Sequence, residues 1–342
     1  MTNPTPITIG IPYREEGQDF SLLAGGLLAS LQDLPSNVTC EIIICVNGSS
    51  AGCEGHLSGL LAPTGLEKYQ ARVITSPKGK LAAQLAIVKE RKLNGYLAFV
   101  DSDVVLGKPV LRLLWSTLET DKRCMVAYGQ PVPVFPVKLG LLHRLLRVHY
   151  SLRERAYHRP YFHGRAFMLR EWFFDPPGDL RGINPKVVER LRLAQGPIID
   201  DIAMSRMALA RWGGCVIREV QEANVYFDPI DTIRGMYAAA IRVALELERL
   251  DLLYPQHARL KKSYSTSCWN SGELRRYSLR MQLAHALFRG LDAGIKRFAK
   301  VHVALIKAGL LRTRTLWVRV PGTKQFARNR HDWDKFRRIP QA

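Results

Sequence analysis

Two aspartates follow an apolar run in the first half of the chain. Asp101 and Asp103 flank Ser102 directly after Leu97–Val100, in the stretch GYLAFVDSDVVLGKP. The run is short, unbroken and bounded by glycines, so it predicts a strand of a parallel sheet that is covered on both faces. Carboxylates at the carboxyl end of such a strand lie where open α/β sheets bind ligands. Because two close carboxylates repel each other, a divalent cation that carries a phosphorylated substrate would be stable between them; the alternative is a solvated acidic turn with a helix cap.

Polar side chains also follow the first and third predicted strands. The loop Pro12–Glu16 contains no glycine, so it is not the phosphate cradle of a dinucleotide-binding fold, a P-loop or a nucleotidyltransferase. The third strand leads into Lys78, Gly79 and Lys80 at a predicted helix start. Ammonium groups and free helix N–H groups there could neutralise a diphosphate, and two solvated surface lysines are the alternative.

The segments that position these groups alternate between strands and helices. The predicted strands are Ile7–Ile11, Cys40–Val46, Ala71–Thr75 and the run that ends at Val100. The predicted helices are Phe20–Leu31, a helix with Leu81, Leu85 and Val88 at helical spacing, Ile202–Trp212 and Asp231–Leu250. This βαβαβ order predicts an α/β fold with right-handed crossovers and a mostly parallel sheet between two helix layers.

The order of the segments IGIPYREE, EIIICVNGSS, SPKGKLAAQLAIVKE and GYLAFVDSD resembles the nucleotide-sugar half of a family 2 glycosyltransferase with the GT-A fold. The resemblance continues in YFHGRAFMLRE, similar to the family's glycine-containing acceptor strand, and in PIIDDIAMSRMALARWGG, similar to its acidic segment, and covers about residues 7–228. It implies a GT-A (Rossmann-like), mostly parallel central sheet flanked by helices. The nucleotide-sugar half would span 1–130, the acceptor half 131–230, and a basic helical extension 231–342.

The resemblance implies metal-assisted transfer from a nucleoside diphosphate sugar. The departing diphosphate carries several negative charges, so breaking the anomeric bond requires a cation on its oxygens. Asp103 is expected to bind Mn²⁺ or Mg²⁺, and Asp101 to contact the metal, its waters or the ribose. The donor-binding residues implied by the match are Pro12, Tyr13, Glu15, Asn47, Lys80, Asp101 and Gly164.

The acceptor hydroxyl requires a base within hydrogen-bond reach, and the resemblance assigns this role to Asp201, with Asp200 as a cap or an orienting group. A single base and one in-line displacement imply inversion. For the acidic pair alone, the alternative is that it caps the following helix. Arg206 could pair with a carboxylate or a diphosphate, or form an ordinary surface ion pair. The core candidates of this helix are Ile202, Met204, Met207 and Leu209.

Several positions depart from the family pattern. Val46 and Asn47 stand where many relatives have two aspartates, so Asn47 or other groups would recognise the base, and a UDP-sugar is preferred but not required. A late metal-binding histidine is not evident in ANVYFDPID, where Asp228 could substitute or could simply form a turn. His163 could bind the acceptor or the donor, or serve as a hydrogen-bonded structural residue. Tyr237–Arg242 replaces the Gln-x-x-Arg-Trp of processive members, so a non-processive, single-sugar transferase is expected.

The formal net charge is +20 and the pI is about 10.0, which favours polyanionic partners. Residues 273–342 contain 17 Lys and Arg against 4 Asp and Glu, a net charge of +13. Within Leu279–Leu311, apolar residues recur at helical spacing, namely Leu283, Leu287, Leu291, Ile295, Phe298 and Val301 or His302. The pattern predicts an amphipathic helix, which either packs on the catalytic domain with a solvated basic face or docks onto an anionic membrane surface.

The cysteines predict a reducing compartment, because six of them are scattered without a Cys-x-x-Cys pair or zinc spacing. A polar MTNPTP precedes the first strand, so no signal peptide is expected, and no apolar stretch approaches the roughly 20 residues that span a bilayer. A cytoplasmic protein is therefore expected, with peripheral attachment to the inner face of a membrane left open.

These patterns together predict a metal-dependent, inverting, hexosyltransferase-like enzyme that acts on a hydroxyl acceptor, either lipid-linked or a glycan. The alternative is a basic protein on a GT-A-like scaffold that binds nucleic acid or anionic membrane without transferase activity. Recognised nucleic-acid-binding motifs are absent from the sequence, and basic residues alone give only non-specific, salt-sensitive affinity. No specific nucleic acid is expected.

Overall fold

The computed structural model describes residues 5–13, 20–48, 61, 64–135, 140–152, 160–197, 199–230, 232–260 and 271–312. Its strands are β1 (Thr5–Tyr13), β2 (Val38–Asn47), β3 (Arg72–Ser76), β4 (Tyr96–Val100), β5 (Val104–Leu106), β6 (Val126–Pro133), β7 (Ala166–Leu169) and β8 (Ile217–Phe227). Its helices are α1 (Phe20–Gln32), α2 (Lys80–Glu90), α3 (Val110–Thr120), α4 (Leu141–Ser151), α5 (Pro185–Arg190), α6 (Asp200–Trp212), α7 (Ile233–Leu253), α8 (Ser271–Leu274) and α9 (Leu279–Ala308). Short 3-10 helices lie at Leu66–Tyr69, Leu193–Gln195 and Pro255–Leu260.

The eight strands form one mixed sheet in the order β3-β2-β1-β4-β7-β6-β8-β5. The strands β3, β2, β1 and β4 are parallel, as predicted for this part of the chain. In contrast, β7 lies antiparallel between β4 and β6, and β5 pairs antiparallel with β8. The predicted α/β class, with flanking helices and a helical C-terminal region, is confirmed. Because β4 and β7 run in opposite directions, the carboxyl end of β4 lies beside the amino end of β7, at the same end of the sheet.

Two apolar layers cover the sheet. On one face, Leu27 of α1 and Leu114 of α3 belong to a buried cluster with alternating residues of β1 and β2. On the other face, Ile87 of α2, Met204 of α6 and Leu250 of α7 belong to a second buried cluster. The central strands are therefore covered on both sides, which explains why their sequences are apolar without alternation.

The buried face of α2 differs from the predicted one. Leu85, one of three apolar residues used to predict this helix, is 44% exposed. The buried face is formed by Ala83, Gln84 and Ile87, which share one side of a helix with Lys80. Polar groups at the end of the sheet, in addition to apolar packing, therefore set the orientation of α2.

Helix α7 begins after Thr232, whose side-chain oxygen accepts a 3.0 Å hydrogen bond from the N–H of Gly235. This cap closes the helix start close to the predicted Asp231, which itself lies outside the described residues. Within the described ranges, no helix is both long enough and apolar enough to cross a membrane.

Helix α9 packs against α7 and α4. It ends before Gly309, which adopts a left-handed conformation with φ 84°, so the predicted end at Leu311 is too late. Its buried residues are His285, Phe288, Ile295, Ala299, Val303 and Ile306. Of the predicted apolar stripe only Ile295 belongs to this set, whereas Leu283, Leu287, Phe298 and Val301 are exposed. The helix therefore packs on the domain through a face that the sequence pattern did not indicate.

Candidate active site

Asp101 lies directly after β4, as predicted, and both its backbone and its side chain are held in place. Its N–H donates a 2.7 Å hydrogen bond to the carbonyl of Arg165, just before β7. Its Oδ1 lies 2.6 Å from the Nζ of Lys80, the first residue of α2. The strand-end acid and the lysine of the helix start are therefore in direct contact, and the alternative of a solvated surface lysine is wrong for Lys80.

Lys80 also connects Asp101 to the second acidic pair. Its Nζ lies 3.2 Å from Oδ1 of Asp200 and donates a 3.2 Å hydrogen bond to the carbonyl of Gly164. Asp200 is buried, and its Oδ2 accepts a 2.6 Å hydrogen bond from Nε2 of Gln84. No side-chain cap closes the start of α6, so Asp200 orients Lys80 and Gln84 and does not cap the helix.

Asp201 lies in the first turn of α6, next to Gly164. Its Oδ2 accepts a 2.9 Å hydrogen bond from the N–H of Gly164, and its Oδ1 accepts one of 2.8 Å from the N–H of Ile202. A β-carbon at position 164 would lie 3.1 Å from Nζ of Lys80 and 3.3 Å from Cβ of Asp201. Glycine therefore allows both charged side chains to approach the same stretch of backbone.

The charges of these side chains shift one another's protonation. Burial raises the pKa of Asp101 to about 7; Lys80 opposes this shift, and the charges of Asp103 and Asp200 add to it. Burial also raises the pKa of Asp201, and the charge of Asp200 raises it further. Burial alone would lower the pKa of Lys80, but the surrounding carboxylates hold it above its usual value. One ammonium group thus faces several carboxylates, an excess of negative charge that favours a further cation.

Asp103 lies half-buried in the turn between β4 and β5. Among the residues that the structure describes, no group of three or more His, Cys, Asp and Glu could hold a metal ion, so Asp228 does not complete such a site there. A Mg²⁺ site commonly uses only one or two carboxylates and completes its shell with water and substrate phosphates. Asp101 and Asp103 supply two carboxylates next to the end of β4, the number that such a site uses.

The other donor-binding candidates lie at the ends of β1 and β2. Pro12 and Tyr13 end β1, and Tyr13 is 5% exposed with its ring packed against the first residue of α1. The Oδ1 of Asn47 accepts a 2.5 Å hydrogen bond from the N–H of Gly79, which ties the end of β2 to the loop that leads into α2. Glu15 lies outside the described residues.

Two further candidates have partners within the fold. Arg206 is 2% exposed, and its guanidinium pairs with Asp251 of α7 over 2.8 Å. The carboxylate partner offered as one possibility is therefore present; Arg206 is buried and Asp251 half-buried, so the pair is not an ordinary surface ion pair. The ring of His163 lies between those of Tyr128 and Tyr161, with centroids 6.2 Å away in each case, which fits a structural role.

Two polar residues that support the site were not singled out from the sequence. Gln84 binds Asp200 as described. The Oγ of Ser205 donates a 2.6 Å hydrogen bond to the carbonyl of Asp201 and accepts one of 3.1 Å from the N–H of Phe162. Gln84 follows Lys80 by four residues and Ser205 follows Asp201 by four. That spacing places each on the same helix face as a site residue, which was the available signal.

A buried ion pair on α7 holds the segment that enters α6. Glu246 and Arg249 are both buried and lie 2.7 Å apart. Arg249 also donates to three backbone carbonyls within residues 191–196, and Glu246 accepts a 3.3 Å hydrogen bond from the N–H of Ile199. This pair, named here the Glu246–Arg249 clamp, fixes the backbone immediately before the helix that carries Asp201.

No protein-family model and no curated protein sequence matches the chain. Solved structures that resemble it include TarS of S. aureus, at 12% identity and a TM-score of 0.42, with 87% of this chain and 55% of that chain covered. A second is GalNAc-T7 with UDP, GalNAc and Mn²⁺, at 13% identity and a TM-score of 0.47, with 77% of this chain and 57% of that chain covered. A third is the mannosyltransferase PcManGT from Pyrobaculum calidifontis in complex with GDP-Man and Mn²⁺, at 15% identity and a TM-score of 0.45, with 89% of this chain and 86% of that chain covered. The chain thus spans little more than half the length of the first two. All three of these TM-scores are below 0.5.

Proposed function

We propose that this protein is a glycosyltransferase that moves one sugar from a nucleoside diphosphate sugar to an acceptor hydroxyl with inversion. The observation that carries the proposal is the position of Lys80, whose Nζ lies within 3.2 Å of both Asp101 after β4 and Asp200 at the start of α6. The two acidic motifs are far apart in the sequence. Their shared contact with one ammonium group supports a single site in which one motif handles the donor and the other the acceptor.

The donor diphosphate would bind beside Lys80. The ammonium group neutralises phosphate oxygens, and the first turn of α2 supplies N–H groups that have no partner within the helix. Asn47 supports this arrangement because it binds the N–H of Gly79, directly before α2. Pro12 and Tyr13 would border the nucleotide, and Gly164 would let the sugar approach the backbone.

Asp103 and Asp101 would hold Mn²⁺ or Mg²⁺. Such an ion stabilises the negative charge that develops on the departing diphosphate. The excess of carboxylates around Lys80 supports a cation at this place. On donor binding, the Lys80 ammonium would turn from Asp101 towards the diphosphate while it keeps its contact with Asp200, whose carboxylate is held by Gln84.

Asp201 would act as the base. The acceptor oxygen attacks the anomeric carbon, the bond to the diphosphate oxygen breaks, and its electron pair leaves with the diphosphate. The hydroxyl proton passes to Asp201, whose raised pKa makes it a better proton acceptor than an ordinary aspartate. The N–H groups of Gly164 and Ile202 fix the orientation of the carboxylate. One displacement of this kind inverts the anomeric centre.

The test is a donor-hydrolysis and transfer screen with a panel of UDP- and GDP-sugars, with Mn²⁺ or Mg²⁺, using the wild type, Asp103→Ala and Asp201→Asn. Asp103→Ala is expected to lose metal-dependent donor binding. Asp201→Asn is expected to keep donor binding but to lose turnover by roughly 10²–10⁴-fold, the usual contribution of a positioned base. The matched control is Asp179→Asn, which removes an exposed carboxylate paired with Arg181.

Equal turnover in all four proteins would contradict both assignments. If no donor is hydrolysed, and nucleic acid binds in a salt-sensitive manner without competition from nucleoside diphosphates, the binding-protein alternative replaces the proposal.

A further inference from the structure

Helix α9 exposes large apolar side chains along one side. Leu283 is 57%, Leu287 73% and Phe298 70% exposed. These residues, with Leu279 and Val301, are named here the α9 apolar stripe. At 3.6 residues per turn the five side chains fall within an arc of about 100°. The stripe lies opposite the buried side of the helix, which contacts the domain through residues such as Phe288 and Ala299.

Exposed leucines and a phenylalanine along one side are unusual for a helix that already has a buried side. A helix at the surface of a globular domain normally has one apolar face towards the core and a polar face towards solvent. Here a second apolar face points away from the domain. Contiguous exposed apolar patches of this kind mark interaction sites.

The charge on α9 selects the kind of partner. Between Leu279 and Ala308 the helix contains six Lys and Arg residues and a single acidic residue, Asp292. Arg280 and Arg297 lie within or beside the arc of the stripe, while Lys300 lies on its flank, and all three are exposed. An apolar face bordered by exposed Lys and Arg is typical of helices that lie in the interface of an anionic membrane.

Other occupants of the stripe fit the charge less well. A second copy of this chain would bring the same excess of positive charge to the contact, and like charges repel. Residues 313–342, which follow the described part, contain eight Lys and Arg against two Asp, so as a cover for the stripe they would meet the same repulsion. Anionic phospholipid headgroups complement both segments.

We propose that α9 docks the protein onto an anionic phospholipid surface, with the α9 apolar stripe inserted among the acyl chains at the headgroup boundary and the basic residues against the headgroups. The helix would lie in the plane of the membrane and not cross it. The inference rests on the surface of α9 alone, so it stands or fails independently of the proposed transferase. If both hold, an acceptor hydroxyl carried by a lipid is within reach of the enzyme.

The experiment is flotation of the full-length protein with vesicles of phosphatidylglycerol and phosphatidylcholine, compared with pure phosphatidylcholine. The wild type is expected to float with the mixed vesicles and to be released as salt is raised, because the headgroup attraction is screened. The double variant Leu287→Gln/Phe298→Gln should lose at least tenfold in bound fraction. The double variant Arg297→Gln/Lys300→Gln should lose binding to the mixed vesicles but not the weak binding to pure phosphatidylcholine.

Matched controls are Leu85→Gln, which replaces an exposed leucine of α2, and Lys122→Gln/Arg123→Gln, which removes two exposed charges outside α9. Both should float like the wild type. Equal flotation of wild type and the stripe variant, or binding that ignores the anionic lipid, would overturn the proposal. So would a change from dimer to monomer in the stripe variant without vesicles, which would identify a second copy as the occupant. Donor hydrolysis measured without vesicles reports on the proposed function separately.

Discussion

The N–H of Gly164 donates a 2.9 Å hydrogen bond to the carboxylate of Asp201, and the carbonyl of the same glycine accepts a 3.2 Å bond from Lys80. One residue of backbone therefore aligns the two opposite charges that the proposed mechanism needs. The alignment depends on the absence of a side chain at this position.

Gly164→Ala is expected to lower turnover by less than roughly 10²-fold, because a displacement of the order of 1 Å at a reacting group has an effect of that size, and the neighbours of the new β-carbon need to shift by only a few tenths of an ångström. The new β-carbon would lie 3.1 Å from Nζ of Lys80, so the lysine and the carboxylate must shift. Steady-state kinetics and the thermal midpoint check this expectation. Gly182→Ala is the control, because a β-carbon there meets nothing within 4 Å; a similar loss in both variants would contradict a local effect at the site.

Lys80→Met should change the binding of metal and donor in opposite directions. Without the ammonium group, Asp101 has no cationic partner 2.6 Å away, so Mn²⁺ should bind the donor-free protein more tightly. The donor should bind more weakly, because its diphosphate loses a direct positive charge. Calorimetric titration with Mn²⁺ alone and with a nucleoside diphosphate measures the two effects.

The control for this pair of effects is Lys89→Met, which removes an exposed ammonium group from the last turn of α2, at the far end of the helix from Lys80. Weaker Mn²⁺ binding in Lys80→Met would show that the lysine does not compete with the metal for Asp101.

The sequence predicts the acidic residues of the candidate site, but it does not predict the contacts between the segments that carry them. Asp101 and Asp201 were found because a buried strand and a helix start have clear local signals. The ion pair of Lys80 with Asp200 joins two such segments, and no local pattern encodes which helix start faces which strand end. Likewise, the four residues of β7 are all apolar. A short apolar run is compatible with parallel and with antiparallel pairing, so the sequence does not indicate that β7 is antiparallel.

Helix α9 shows why periodicity alone can choose the wrong face. Two sides of this helix are apolar, and the sequence pattern favours the side with the leucines and a phenylalanine as the buried one. The side that packs on α7 and α4 contains His285 and Ala299, which make it look less apolar in the sequence.

The pH dependence of the reaction should follow Asp201. Burial and the charge of Asp200 raise its pKa, and the base must be ionised, so kcat/KM should fall as the pH drops through this raised value. The acid limb is therefore expected above the value of about 3.9 for an ordinary aspartate. Asp200→Asn removes the neighbouring charge and should move the limb to lower pH.

Asp179→Asn should leave the limb where it is. The charge of Asp200 raises the pKa of Asp101 as well, so an unchanged limb in Asp200→Asn would contradict an origin of the limb in either carboxylate.

The Glu246–Arg249 clamp predicts a large change in stability. Arg249→Met removes the guanidinium that lies 2.7 Å from the buried Glu246 carboxylate, together with its donors to the backbone of residues 191–196. Breaking a buried pair by removing one partner costs about 3–5 kcal/mol in the free energy of unfolding, which chemical denaturation measures. Lys296→Met is the control, since it breaks an exposed pair with Asp292, and exposed pairs contribute about 1 kcal/mol or less. Equal midpoints for the two variants would contradict the role of the clamp.

The pairing of β4 with β7 also bears on how such an enzyme could diversify. Asp101 follows one strand and Gly164 precedes the other, so a ladder of backbone hydrogen bonds maintains their spacing whatever the neighbouring side chains are. If the proposed function holds, the loops that would touch the nucleobase, the sugar or the acceptor can lengthen, shorten or exchange residues without disturbing that ladder. A lineage carrying this sheet could therefore acquire new substrates while inheriting the same charged centre.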